Sequence, residues 1–167
     1  MAGRSAFRLW DILEAVCIVY IERVARAGKD RSIYDRGCGQ LAQKNPTKKI
    51  VTDVVSRNTQ AFFYFANRFP EVRDRFILQA YSPSDYFAAQ ELGFRDIIWT
   101  LYRSYLTDQA VLAHLRYMDL YALTMPVWRA RRGLALKVEK FGVPVYVHTV
   151  NNIQDFYELE KFGVNSF

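Results

Sequence analysis

Leu92-Gly93-Phe94-Arg95-Asp96-Ile97-Ile98-Trp99-Thr100-Leu101 holds the reading that decides the fold. A helical pattern runs up to Leu92, a glycine follows it, then an apolar residue, then a short run that is apolar at alternate positions of both sets. Glycine just past a helix takes the left-handed conformation that stops it. Strands apolar on both faces are those of a buried parallel sheet. The same step recurs at Phe141-Gly142-Val143 and Phe162-Gly163-Val164. Three junctions of one design predict repeated helix-to-strand units.

Working outward, strands are predicted at 49–54, 76–81, 96–101, 120–124, 144–149 and 164–167. They begin roughly 20 to 27 residues apart, the length of one βα unit in a parallel barrel. Helical patterns fill the gaps at 58–68, 84–92, 108–117, 127–141 and 152–162. Ser82-Pro83-Ser84, Thr107-Asp108 and Asn151-Asn152 supply helix starts. Upstream, Trp10, Leu13, Val16, Cys17, Tyr20 and Val24 fall on one face of a helix over 7–27, with Ser5 as its cap and Gly28 as its stop. Residues 29–39 read as a loop, followed by a short helix that Asn45-Pro46 ends.

The expected architecture is therefore α/β: a partial (βα)8 barrel over 48–167, about six parallel strands, preceded by a helical segment over 1–47. A complete barrel has eight strands and about 250 residues. Open sheet edges invite self-association, unless another chain completes the sheet, the first helix covers the gap, or the chain is a fragment. A doubly wound sheet is the competing architecture, but no strand end carries its glycine-rich phosphate turn.

With 167 residues, 51% hydrophobic and 24% charged, the chain can bury one ordinary core and does not have a disordered composition. A net charge of +6 suits phosphate esters or anionic headgroups, or else a solvated basic surface. No run of five like charges occurs, so a nucleic-acid-binding arm is not expected. Cys17 and Cys38 lack metal-ligand spacing and read as free thiols. Asp11, Glu14, Glu22 and Arg23 interrupt the most apolar early stretch, so no transmembrane segment or signal peptide is expected, and the expected location is cytoplasmic.

Residues 142–151, Gly-Val-Pro-Val-Tyr-Val-His-Thr-Val-Asn, with Lys-Phe-Gly-Val-Asn-Ser-Phe at 161–167, resemble the end of the glycerophosphodiester phosphodiesterases. Residues 75–83 and 92–103 are similar to that family's middle strands, and Ala122-Leu123-Thr124-Met125-Pro126 to the next one. The resemblance covers 48–167 and implies strands three to eight of the family's barrel. It also implies hydrolysis of a small phosphodiester to glycerol 3-phosphate and an alcohol, with a divalent cation (Mg²⁺ or Ca²⁺) and histidine acid–base catalysis. Family members carry a His-Arg-Gly strand, a Glu-x-Asp strand and a following His-Asp. No His-Arg-Gly occurs in this sequence, whose histidines are His114 and His148. Catalysis by this chain alone is therefore not expected.

The resemblance puts Asp53 where the family has a metal-binding Glu of a Glu-x-Lys pattern, with Val55 in place of the Lys. Asp53 reads as a metal ligand or as a cap of the next helix. Gln79 and Tyr81, at a strand end, read as substrate-binding or as ordinary packed side chains. Tyr102 and Arg103 follow the next strand, and Arg103 suits either a phosphate contact or a surface ion pair. His148 ends an apolar strand where the family has an aromatic wall, and reads as a wall residue rather than a catalyst. His114 is expected on a solvent-facing helix surface. Two further functions stay open: a non-catalytic binder of phosphate esters or lipid headgroups, and a truncated gene product.

Overall fold

The computed structural model describes residues 16–21, 44, 46–54, 57–148, 150 and 152–165. They fall into two compact units, one within 15–97 and one from Ile98 onward.

The first unit contains β1 (Val16–Ile21), β2 (Lys49–Val54), α1 (Asn58–Arg68), a 3₁₀ helix (Pro70–Arg75), β3 (Phe76–Ala80), α2 (Pro83–Glu91) and the opening of β4 (Asp96–Thr100). β1 runs parallel to β2 from Val16 opposite Lys49 to Ile21 opposite Val54, and β2 runs parallel to β3. This corrects the helix expected over 7–27, because its centre is a strand; the rest of that expectation lies outside the described residues. The physical reason is in Val-Cys-Ile-Val-Tyr-Ile, which is β-branched or aromatic at five of six positions. A short continuous apolar run satisfies a helical period by accident, and in a parallel sheet the strand reading wins.

Phe76 on β3 shows how this unit is held together. Its ring stacks on Phe65 of α1 at 5.3 Å and meets Phe94 edge-on at 6.3 Å. Phe62, Phe65 and Phe76 are almost wholly buried. One face of the sheet is thus given to the helices, and alternation turns Ile77 and Gln79 to the other face. At the opening ends of the strands, Lys49 pairs with Asp96, and the Arg75 guanidinium donates twice to the Lys48 carbonyl at 2.9 and 3.0 Å. α2 begins with the expected cap: Ser82 Oγ accepts from Asp85 N at 3.2 Å, while the Asp85 carboxylate accepts from Ser82 N at 3.1 Å.

The second unit continues β4 and adds α3 (Asp108–Leu115), β5 (Ala122–Met125), α4 (Val127–Arg131), α5 (Leu134–Glu139), β6 (Val145–Val147) and α6 (Ile153–Glu160). β4, β5 and β6 are parallel neighbours in chain order. Thr107 and Asn152 cap α3 and α6 as expected. The helix expected over 127–141 is two, because Gly133 takes φ +86° between α4 and α5. The strand expected at 164–167 is absent over Val164 and Asn165, and its last two residues lie outside the described ones. Asn165 borders β6 instead: its N–H donates to the Val145 carbonyl at 3.0 Å and its side-chain oxygen accepts from Val145 N at 2.9 Å. A side chain takes the place of the next ladder rung.

Gly93, Gly142 and Gly163 have φ of +84°, +70° and +81°, so each helix-stopping step has the backbone that the sequence demands. The fold is α/β, with parallel strands alternating with helices. No helix among the described residues is long and apolar enough to cross a membrane.

Candidate functional site

Strand alternation turns a polar face away from the helices in each unit. In the first, Ile50 pairs with Phe76 and Thr52 with Leu78, so these share the helix side. Asp53 and Gln79 take the opposite side, and Tyr81 follows past the end of β3. The Tyr81 hydroxyl donates to Asp53 Oδ1. Gln79 is held from behind, its carbonyl accepting from Asn58 Nδ2 at 2.8 Å. All three of these predicted residues are half-buried. The structure thus places Asp53, Gln79 and Tyr81 at the C-terminal ends of neighbouring strands, where parallel α/β folds place their chemistry.

The second unit shows the same logic over three strands. Trp99 points to the helices and meets the His114 ring edge-on at 6.0 Å. This corrects the expectation for His114: the ring is half-buried against a core tryptophan. On the other side, Thr100, Thr124 and Tyr146 lie in register across β4, β5 and β6. Two residues further along their strands come Tyr102 and His148. Their rings are nearly parallel, 4.2 Å apart at 14°. The Tyr102 hydroxyl donates to the His148 carbonyl and accepts from the His148 N–H at 3.0 Å. The face grades outward, with Thr100 and Thr124 buried, Tyr102 and Tyr146 half-buried, and His148 exposed.

Burial pushes the Tyr102 hydroxyl above the usual tyrosine range, opposed by its contact with the His148 backbone. Burial and neighbouring Tyr121 push Tyr146 up further. Both phenols stay protonated at neutral pH; the Tyr102 proton is already given to the His148 carbonyl, and Tyr146 offers a neutral hydrogen-bond donor. Thr124 Oγ1 is buried with no hydrogen-bond partner among the described residues. Thr100, Thr124 and Tyr146 escaped the sequence reading, because only strand register reveals that they form one row. Arg103 sits exposed on the turn after β4.

The loop leading to α3 is pinned by a buried guanidinium. Arg129, 3% exposed, donates through Nε to Asp108 Oδ1 at 3.1 Å and through Nη2 to the Leu106 carbonyl. Its Cζ lies 5.5 Å from the centre of the Trp128 ring.

The expected divalent cation has a thin donor set. Ca²⁺ takes six to eight oxygens, and Mg²⁺ takes six, keeping several waters beside one or two carboxylates. The polar face of β2 and β3 offers one carboxylate, Asp53, already accepting from Tyr81. Among the described residues no group of three or more His, Cys, Asp or Glu side chains could hold a metal ion. These residues by themselves do not fit the ion. No protein-family model matches this chain, and no curated protein matches it.

Proposed function

We propose that this chain is part of a phosphodiesterase-type (βα)8 barrel that binds a small phosphate ester at its strand ends without hydrolysing it alone. One observation carries the reading: Tyr102, His148, Thr100, Thr124 and Tyr146 form a hydroxyl- and imidazole-bearing face at the ends of three parallel strands. Such groups hydrogen-bond ester and alcohol oxygens, and a net charge of +6 raises the local concentration of an anion. The likeness of residues 48–167 to the glycerophosphodiester phosphodiesterases makes glycerol 3-phosphate and its diesters the ligands of choice.

Hydrolysis needs a proton donor for the leaving alcohol and a base for the attacking water. His148 is the one histidine on this face. Its ring lies flat on Tyr102 and its backbone is tied to the same phenol, the position of a wall. The test has two arms. Calorimetric titration with glycerol 3-phosphate is expected to give a saturable isotherm, and no saturable heat at millimolar ligand overturns the binding role. Incubation with glycerophosphocholine and Mg²⁺ or Ca²⁺ is expected to leave the diester intact. Robust turnover overturns the non-catalytic role.

A further inference from the structure

Away from the strand ends, α3 and α5 enclose an open groove of about 420 Å³. Leu112, Ala113 and Phe141 supply its apolar surface, and Arg116, Lys137 and Lys140 its charge. No carboxylate lines it. Among the described residues none of the three cations has an ion-pair or hydrogen-bond partner, whereas Arg129 and Arg131 on neighbouring α4 are both paired with carboxylates. Cations in the last turns of α3 and α5 favour those helices through the backbone dipole. That effect does not require them to converge on one groove, nor a phenylalanine 39% exposed beside them.

We infer that this groove docks an acidic segment of a partner protein, one that presents a large apolar side chain flanked by carboxylates. Charge complementarity selects the flanks: three unpaired cations around a groove without a carboxylate repel a basic partner and attract an acidic one. The apolar surface selects the anchor, because a purely ionic ligand gains nothing from Leu112 and Phe141. An acyl chain is a poorer match, since an open groove leaves most of its methylenes in water. A flat membrane surface is poorer still, because Leu112 is half-buried within the groove. The inference stands apart from the phosphate-ester reading, which concerns the opposite side of the strands.

The test is fluorescence polarisation with a labelled peptide that carries a Leu-Phe pair between Asp and Glu residues. Saturable binding is expected, weakened by added salt. The double variant K137E/K140E is expected to lose at least about tenfold in affinity. Phe141→Ser, which leaves the charge unchanged, is expected to lose a similar factor, and Arg116→Glu serves as an independent charge variant. All four positions are exposed, and circular dichroism checks that each variant folds. Equal binding of polyglutamate, or affinity unmoved by these substitutions, overturns the inference. So does capture of phosphatidylserine vesicles through the same residues without peptide binding, which assigns the groove to a membrane.

Discussion

Tyr102 bridges the backbone of His148 with its hydroxyl while its ring lies 4.2 Å from the imidazole, so one side chain fixes both the main chain and the ring of its neighbour. The two effects separate by mutation. Tyr102→Phe keeps the stack and removes the bridge, and is expected to cost about 1 kcal/mol. Tyr102→Ala removes both and is expected to cost about 2–3 kcal/mol. Urea denaturation of the three proteins measures the difference. Equal stability of wild type and Tyr102→Phe shows that the hydroxyl bridge contributes nothing.

Asp53 and Tyr81 form the corresponding pair in the first unit. The carboxylate is the acceptor for this phenol, so Asp53→Ala and Tyr81→Phe are expected to be coupled. A double-mutant cycle is expected to return a coupling of about 1 kcal/mol, the size of a partly buried hydrogen bond. Additive losses mean that the carboxylate has another task.

Arg129 is the buried charge whose removal matters most. Arg129→Leu keeps much of the volume but strands the Asp108 carboxylate and the Leu106 carbonyl. Asp108 is 31% exposed, which softens the penalty to about 2–3 kcal/mol, below the 3–5 of a fully buried broken pair. Asp108→Asn keeps an acceptor oxygen and is expected to cost less than half of that. Thermal unfolding ranks the pair, and the reverse order means that the Leu106 contact does not matter.

The sequence makes the glycine-stopped helices and most of the parallel strands legible, because backbone conformation there depends on single residues such as Gly93 and Gly163. It misleads at Val16–Ile21, where hydrophobicity is continuous and carries no usable period. It misleads again at Asn165, whose polar side chain imitates a strand's hydrogen bonds from outside the strand. Of the candidate site, Asp53, Gln79, Tyr81, Tyr102 and His148 are legible as strand ends. The Thr100–Thr124–Tyr146 row is not, because side chains meet across strands only once the register is known.

Tyr146 gives that row a signature in pH. Its hydroxyl is held above the ordinary tyrosine value of 10.0 in the folded protein. Above that pH the unfolded chain loses its proton while the folded chain keeps it. Stability is therefore complete below pH 10 and falls as pH rises toward the folded value, with a slope of at most about 1.4 kcal/mol per pH unit. Tyr146→Phe is expected to flatten this alkaline loss while leaving neutral stability within about 1 kcal/mol. Urea midpoints at pH 8 and at pH 11 test it, and parallel losses in the two proteins remove Tyr146 as the cause.

Gly142 and Gly163 distinguish backbone strain from crowding. Both are left-handed, with φ of +70° and +81°. A Cβ at Gly142 meets nothing within 4 Å, whereas at Gly163 it comes within 3.1 Å of Leu136 N and Cδ2 and 3.2 Å of its Cα. Gly142→Ala is expected to cost about 1 kcal/mol, the conformational penalty alone. Gly163→Ala adds a contact that the first turn of α5 must yield to, for a total of about 2–3 kcal/mol. Trimming the neighbour in Gly163→Ala/Leu136→Ala relieves Cδ2 but leaves two backbone atoms in place, so the double variant is not expected to regain stability. Recovery to the level of Leu136→Ala by itself means that the crowding is with the side chain, and that α5 does not hold Gly163 against its backbone.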